Sequence, residues 1–242
     1  MNDVRTVSDT KRAFYSMHTR PINSIYRRVV EELMVETHLL QVNASFRYDP
    51  VYALGVVTTY DRFMQGYRPE QDKVSIFNAL CQAVGGDPQV YRQDAERLLA
   101  EAAHLSPEDV VAKVRESTDP TDGLVGVLRG IAGNANFKYS RLFAIGLYTL
   151  LEQMDSDMMK DEARRAAALQ SLGDALNLSA DKMQKDLELY RSNLDKMNQA
   201  RAVLDDILKA DRKKKEERAK AKEGKPEDGA IATPPASPSE PS

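Results

Sequence analysis

Between residues 21 and 44 apolar positions recur at intervals of three and four. Ile22, Ile25, Tyr26, Val29, Val30, Leu33, Met34 and Leu40 make one stripe, and Arg27, Arg28, Glu31, Glu32 and Glu36 make the opposite, water-facing side. That period predicts an amphipathic helix. Pro21 suits its first position, where no amide donor is needed, and Asn43 tolerates the backbone of a helix end. The spacing predicts this helix as the element around which the rest of the chain packs.

Ahead of it, Ser8 or Asp9 can cap a short helix running to Met17, with Ala13, Phe14 and Met17 as its apolar face. Behind it, Asp49-Pro50, Arg68-Pro69, Asp87-Pro88, Ser106-Pro107 and Asp119-Pro120 repeat a helix-start signal, and Gly66 and Gly85-Gly86 are expected C-terminal caps. Gly123, Gly126, Gly130 and Gly133 fall at spacings of three, four and three, which on a helix makes a smooth face suited either to tight core packing or to a docking groove. Residues 137–154 are apolar nearly all round, predicting a buried central helix. A more polar helix over 157–176 follows, with alanines at 166–168 permitting close contact.

Ser179 is the expected N-cap of the last helix, and beyond it the period shifts toward a heptad. Met183, Leu187, Tyr190, Leu194, Met197, Leu204 and Leu208 step by fours and threes, with Arg201 standing where the next apolar residue is due. This coiled-coil seam either folds back on the body or binds a partner. Past Gly224 the segment ending TPPASPSEPS carries too little apolar surface to offset the entropy of ordering it. No stretch alternates as a strand does. The sequence therefore predicts an all-α, multi-helix bundle: a globular body over 1–178, a long amphipathic, coiled-coil-like helix over 179–222 with a basic end, and a disordered tail over 223–242.

Composition narrows the picture by exclusion. The 242-residue chain has a formal net charge of -3, which gives no general attraction to nucleic acid. A single cysteine, Cys81, supplies neither an internal disulfide nor a zinc quartet; among Ile76, Leu80 and Val84 it is expected in the core. The first residues lack the apolar run of a secretory signal and carry Asp3 and Asp9, unlike a transit peptide. The most apolar run, 142–151, falls short of the roughly 20 residues of a spanning helix.

Candidate chemistry is sparse. Glu32, Glu36 and His38 are close in sequence, yet Glu36 and His38 are two apart and point to different helix faces, so no metal site is expected. His18, at a helix end, can bond the last carbonyls or ligate a haem iron or chlorophyll magnesium; His38 and His104 are the other histidines available. Phosphate-binding glycine loops and nucleophile elbows are absent from the sequence. The residues point to a binding protein with no catalytic residue and no cofactor. Arg212, Lys213, Lys214, Lys215, Arg218, Lys220 and Lys222, interleaved with Glu216 and Glu217, form either a solvated helix or a patch drawn to an anionic membrane surface. Without aromatic residues to stack on bases, nucleic acid is not an expected partner.

Residues 6–47 (TVSDTKRAFYSMHTRPINSIYRRVVEELMVETHLLQVNASFR) resemble the thylakoid formation protein family of cyanobacteria and chloroplasts. The likeness continues through YDPVYALGVVTTYDRFMQGYRPE at 48–70, IFNALCQA at 76–83 and FKYSRLFAIGLYTLLE at 137–152. The resemblance implies a helical bundle with a long C-terminal helix and no catalytic residues to transfer. It implies a non-enzymatic accessory factor in thylakoid membrane formation and in photosystem II biogenesis and repair. The partners implied are the membrane FtsH protease complexes and photosystem II assembly or repair intermediates. Without a transit peptide the chain looks like a cyanobacterial member, peripheral on the cytoplasmic side of the thylakoid membrane with a soluble pool. Two alternatives stand beside it: a chlorophyll- or haem-binding protein of the same pathway, and a scaffold that self-associates through 183–208. The seam residues named above are the candidate partner contacts, and Arg212, Lys213, Lys214, Lys215 and Arg218 the candidate membrane contacts.

Overall fold

A computed structural model of the chain describes residues 5–116 and 123–223, those from 218 onward by backbone alone. The Asp119-Pro120 signal and the expected tail from 224 lie outside the described residues. Among the described residues there are ten α-helices, one short 3-10 turn and no strand.

Local capping chemistry accounts for most of the helix starts. Helix α1 (Val7–Met17) opens with a capping box in which the Thr6 hydroxyl accepts from the Asp9 amide at 3.2 Å and the Asp9 carboxylate accepts from the Thr6 amide at 3.1 Å. Helix α2 (Ser24–Gln41) begins three residues later than the sequence suggests, because Asn23 offers a side-chain acceptor to the Ile25 amide at 3.2 Å and Pro21 offers none. Helices α3 (Pro50–Phe63), α5 (Pro88–Ala102) and α6 (Pro107–Glu116) each start on proline, behind Asp49, Asp87 and Ser106 as side-chain acceptors. Helix α4 (Glu70–Ala83) departs from the pattern: Pro69 itself occupies the cap after a cis bond from Arg68, with no side-chain acceptor. Glu70 and Asp72 place negative charge in its first turn instead. Gly66 and Gly85 take left-handed backbone, φ +74° and +84°, after α3 and α4.

The centre of the body is α3 against α8 (Arg141–Met154), and α2 lies to its side. Residues 51–60 and 142–151 are buried without a break, whereas α2 keeps one face in water and buries Tyr26, Val30, Leu33, Met34 and Leu40 on the other. The expectation that α2 organises the fold is thus corrected, since a one-stripe helix can cover a core but not fill it. The two central helices touch through backbone: a Cβ on Gly55 would run into the Leu142 carbonyl, and one on Gly146 into the Val51 carbonyl. Gly130 of α7 (Gly123–Ala132), by contrast, faces open space, while Leu124, Leu128 and Ile131 of that helix are buried. Close packing at the 123–133 glycines therefore does not extend to Gly130.

Helix α8 starts at residue 141 because the Ser140 hydroxyl accepts from the Phe143 amide at 3.1 Å. Phe137 and Tyr139 precede it and set their rings against Phe143, centroids 4.8 and 6.5 Å away. The polar helix expected over 157–176 is two elements, the 3-10 turn Met158–Lys160 and α9 (Glu162–Ala175), separated where the Asp161 carboxylate accepts from the Arg164 amide at 2.9 Å. The last helix, α10 (Ala180–Glu223), is capped by Ser179, whose hydroxyl lies 3.3 Å from the Lys182 amide. By contacts the chain divides into two units, Met1–Asn198 and Gln199–Ser242.

Candidate functional site

The heptad seam is divided between the two units. In the first, Met183, Leu187, Tyr190 and Met197 are buried in the core and Leu194 is half-buried against it. The Tyr190 ring lies 5.8 Å from that of Phe63, and the Met183 methyl sits against Gly173. Beside the seam, the Tyr139 hydroxyl donates to Asp186 at 2.8 Å and the Lys182 ammonium stands 4.6 Å over the Tyr139 ring. This half of the seam is satisfied by side chains from α3, α9 and the approach to α8.

In the second unit Leu204 is half-exposed and Leu208 is 49% exposed. Val203 and Ile207, which the heptad does not include, are 61% and 53% exposed, so these four apolar residues share one uncovered helix face. Leucine, valine and isoleucine are rarely displayed together without a use. Arg212, Lys213, Lys214 and Lys215 are exposed and make no ion pair among the described residues. Lys214 and Lys215 follow Val203 and Leu204 by about three helical turns and so continue the same face. Arg218 lies within α10, its side chain outside the described residues.

Two grooves mark the first unit. One, of about 970 Å³, follows the outer side of α2 and is also lined by Lys11, Lys138 and Arg141. The other, of about 510 Å³, lies between α6 and α9 and includes Val111, Arg115, Ala167 and Ala168. The first was not anticipated from the residues, although Val35 and Leu39, an apolar pair four apart and outside the α2 stripe, were the available signal.

The three histidines occupy different places. His18 is buried, its Nδ1 3.0 Å from the Ser75 hydroxyl and its Nε2 without a hydrogen-bond partner among the described residues. His38 is buried with Nδ1 2.9 Å from the Thr10 hydroxyl, and His104 is exposed just past α5. Glu32 and Glu36 line the α2 groove, to which His38 does not contribute, and neither groove has a histidine in its wall. Among the described residues no group of three or more His, Cys, Asp or Glu side chains could hold a metal ion. Burial pushes the Cys81 thiol up to about 12, leaving it protonated and unreactive at neutral pH. No described helix is long and apolar enough to cross a membrane.

Burial lowers the His18 pKa, against an opposing pull from Asp72. The unfolded imidazole, with a pKa of about 6.5, then binds a proton more readily than the folded one. The stability this histidine contributes is complete above that value and is lost as pH falls through the lower, folded value. Urea unfolding at pH 7.5, 6.5 and 5.5 should show wild type losing stability faster on acidification than His18→Gln; parallel losses would remove His18 from the account.

These features define an all-α protein with a packed helical unit, a second unit that displays an amphipathic helix, and grooves suited to contact. The sequence profile of the thylakoid formation protein family matches residues 6–219, and the chain belongs to that family. It is 64% identical over 220 residues to Protein Thf1 of Trichormus variabilis, a match covering 90% of this chain and 94% of that one. Protein Thf1 of Rippkaea orientalis is 55% identical over 231 residues, covering 94% of this chain and 98% of that one. A solved structure of Psb29 superposes with a TM-score of 0.78 at 44% identity, covering 87% of this chain and 98% of that chain.

Proposed function

We propose that this protein works by contact and not by catalysis, as an accessory factor in thylakoid membrane formation and in photosystem II biogenesis and repair. The observation that carries the reading is the family match across residues 6–219. Its partners in this reading are the membrane FtsH protease complexes, which it supports, and photosystem II assembly or repair intermediates. It acts at the cytoplasmic side of the thylakoid membrane as a peripheral protein, with a soluble pool in the cytoplasm. Val203, Leu204, Ile207 and Leu208 are the partner contact, because these four apolar side chains stand exposed or half-exposed together on α10. Met183, Leu187, Tyr190, Leu194 and Met197 anchor that helix in the body. Arg212, Lys213, Lys214, Lys215 and Arg218 hold the protein near anionic lipid, where each basic residue contributes about 1 kcal/mol.

Affinity purification of the tagged protein from detergent-solubilised thylakoids, read by mass spectrometry, tests this against a chain ending at Asn198. That truncation keeps every buried seam residue. FtsH subunits should be retained by the full chain and lost by the truncated one at unchanged melting temperature. Retention by both would move the contact to the helical body, and retention by neither would remove direct, stable association. Self-association through the same exposed stripe makes a different forecast, a mass in light scattering that rises with protein concentration.

A further inference from the structure

We propose that the groove along the outer side of α2 is a docking site for an acidic, amphipathic helix of a partner protein. It is separate from the contact assigned to the last helix, since every residue lining it belongs to the first unit.

The charges in this groove are unequally spent. Its three carboxylates are each held within the chain: Glu31 accepts from Lys11 at 2.9 Å and from the Tyr15 hydroxyl at 2.7 Å, Glu32 pairs with Arg28 at 2.9 Å, and Glu36 pairs with Arg141. The Lys11 and Tyr15 hydrogen bonds hold the Glu31 carboxyl below its usual range, so it stays ionised. Two exposed cations of the wall, Arg27 and Lys138, make no direct ion pair among the described residues, although the Arg27 charge also acts on Glu31 from beyond contact distance. The groove therefore has positive charge to offer and no negative charge left over. Its floor includes Val35 and Leu39, and Leu39 is 56% exposed although Leu40 beside it is buried.

A ligand fitted to this surface brings carboxylates to Arg27 and Lys138 and an apolar side chain or two to Leu39. From Arg27 to Leu39 the groove follows α2 for about 18 Å, the length of a twelve-residue helix. An amphipathic helix laid in a groove makes contacts of this kind, with anchors three and four residues apart. A lipid acyl chain fits less well, because the ion pairs of Arg28 with Glu32 and of Arg141 with Glu36 interrupt the apolar floor.

The test uses the full-length protein labelled with nitrogen-15 and three probes. They are a 14-residue capped peptide of alanine, glutamate and leucine with leucines four apart, the same peptide with lysine for glutamate, and phosphatidylglycerol vesicles. The glutamate peptide should shift amide signals along 27–39 and at Lys138 in a saturable way, and the lysine peptide should not. Arg27→Gln combined with Lys138→Gln should weaken binding at least fivefold at unchanged melting temperature. Leu39→Asp, on an exposed position, should do the same independently. No saturable shift with the glutamate peptide, equal binding of both peptides, or indifference to these substitutions would overturn the proposal. Vesicles that perturb the same amides where the peptide does not would assign the groove to lipid.

Discussion

Gly55→Ala and Gly146→Ala are each expected to lower the unfolding free energy by about 3 kcal/mol or more, the upper end of what overpacking costs. One methyl group at Gly55 would overlap the Leu142 carbonyl, and one at Gly146 the Val51 carbonyl. In both cases the obstacle is backbone, which cannot swing aside as a side chain can. The helices would have to separate, and neighbours such as Tyr52, Leu54, Phe143 and Leu147, all fully buried, would lose contact across the gap. The same substitution at Gly130 should have the opposite sign. No atom lies within 4 Å of a Cβ there, so Gly130→Ala removes only the helix penalty of glycine and should stabilise the protein by about 0.5–1 kcal/mol. Urea unfolding followed by circular dichroism measures all three. If the three substitutions shift stability alike, the backbone contact between α3 and α8 is not what holds the centre together.

The second large effect concerns the last helix, whose apolar residues should separate into two classes. Leu187→Ala removes a side chain buried in the core and is expected to cost about 2–5 kcal/mol, with Met183→Ala in the same range. Leu187→Asp should cost more still, since it also buries an unpaired carboxylate. Val203, Ile207 and Leu208 changed together to Asp should leave stability within about 0.5 kcal/mol per site, because all three are already exposed to water. In the proposed function that triple variant loses FtsH subunits in affinity purification. Unfolding curves and co-purification of the two sets therefore cross over: one set loses stability, the other loses partners. A triple variant that melts early, or one that still retains the partners, would refute the division of roles along α10.

Much of the secondary structure was legible because its causes are local. The carboxylates of Asp49 and Asp87 cap amides two or three residues ahead, and the hydroxyls of Ser106 and Ser179 do the same, so these starts involve no distant residue. Where a boundary was misplaced, a nearby polar side chain outcompeted the apolar period: Asn23 delayed α2, Ser140 delayed α8, and Asp161 interrupted the polar helix before α9. The exposure of the basic residues 212–215 was readable from their charge. The α2 groove was not, because Lys138 and Arg141 approach Glu36 and Leu39 only after the chain has returned from a distant part of the sequence.

By itself, then, the sequence determined the all-α class, most of the helix starts and the family, since caps, periodicity and a run of matching residues are all properties of neighbours along the chain. The tertiary structure decided which helices are central, which glycines are indispensable, and where the heptad seam stops being core. Those outcomes depend on what lies opposite. Tyr190 is covered because Phe63 meets it and Met183 because Gly173 leaves room for it, whereas Ile207 and Leu208, with the same apolar character, remain in water. An apolar period shows that a face is available for burial, and only the packed chain shows which part of that face is already taken.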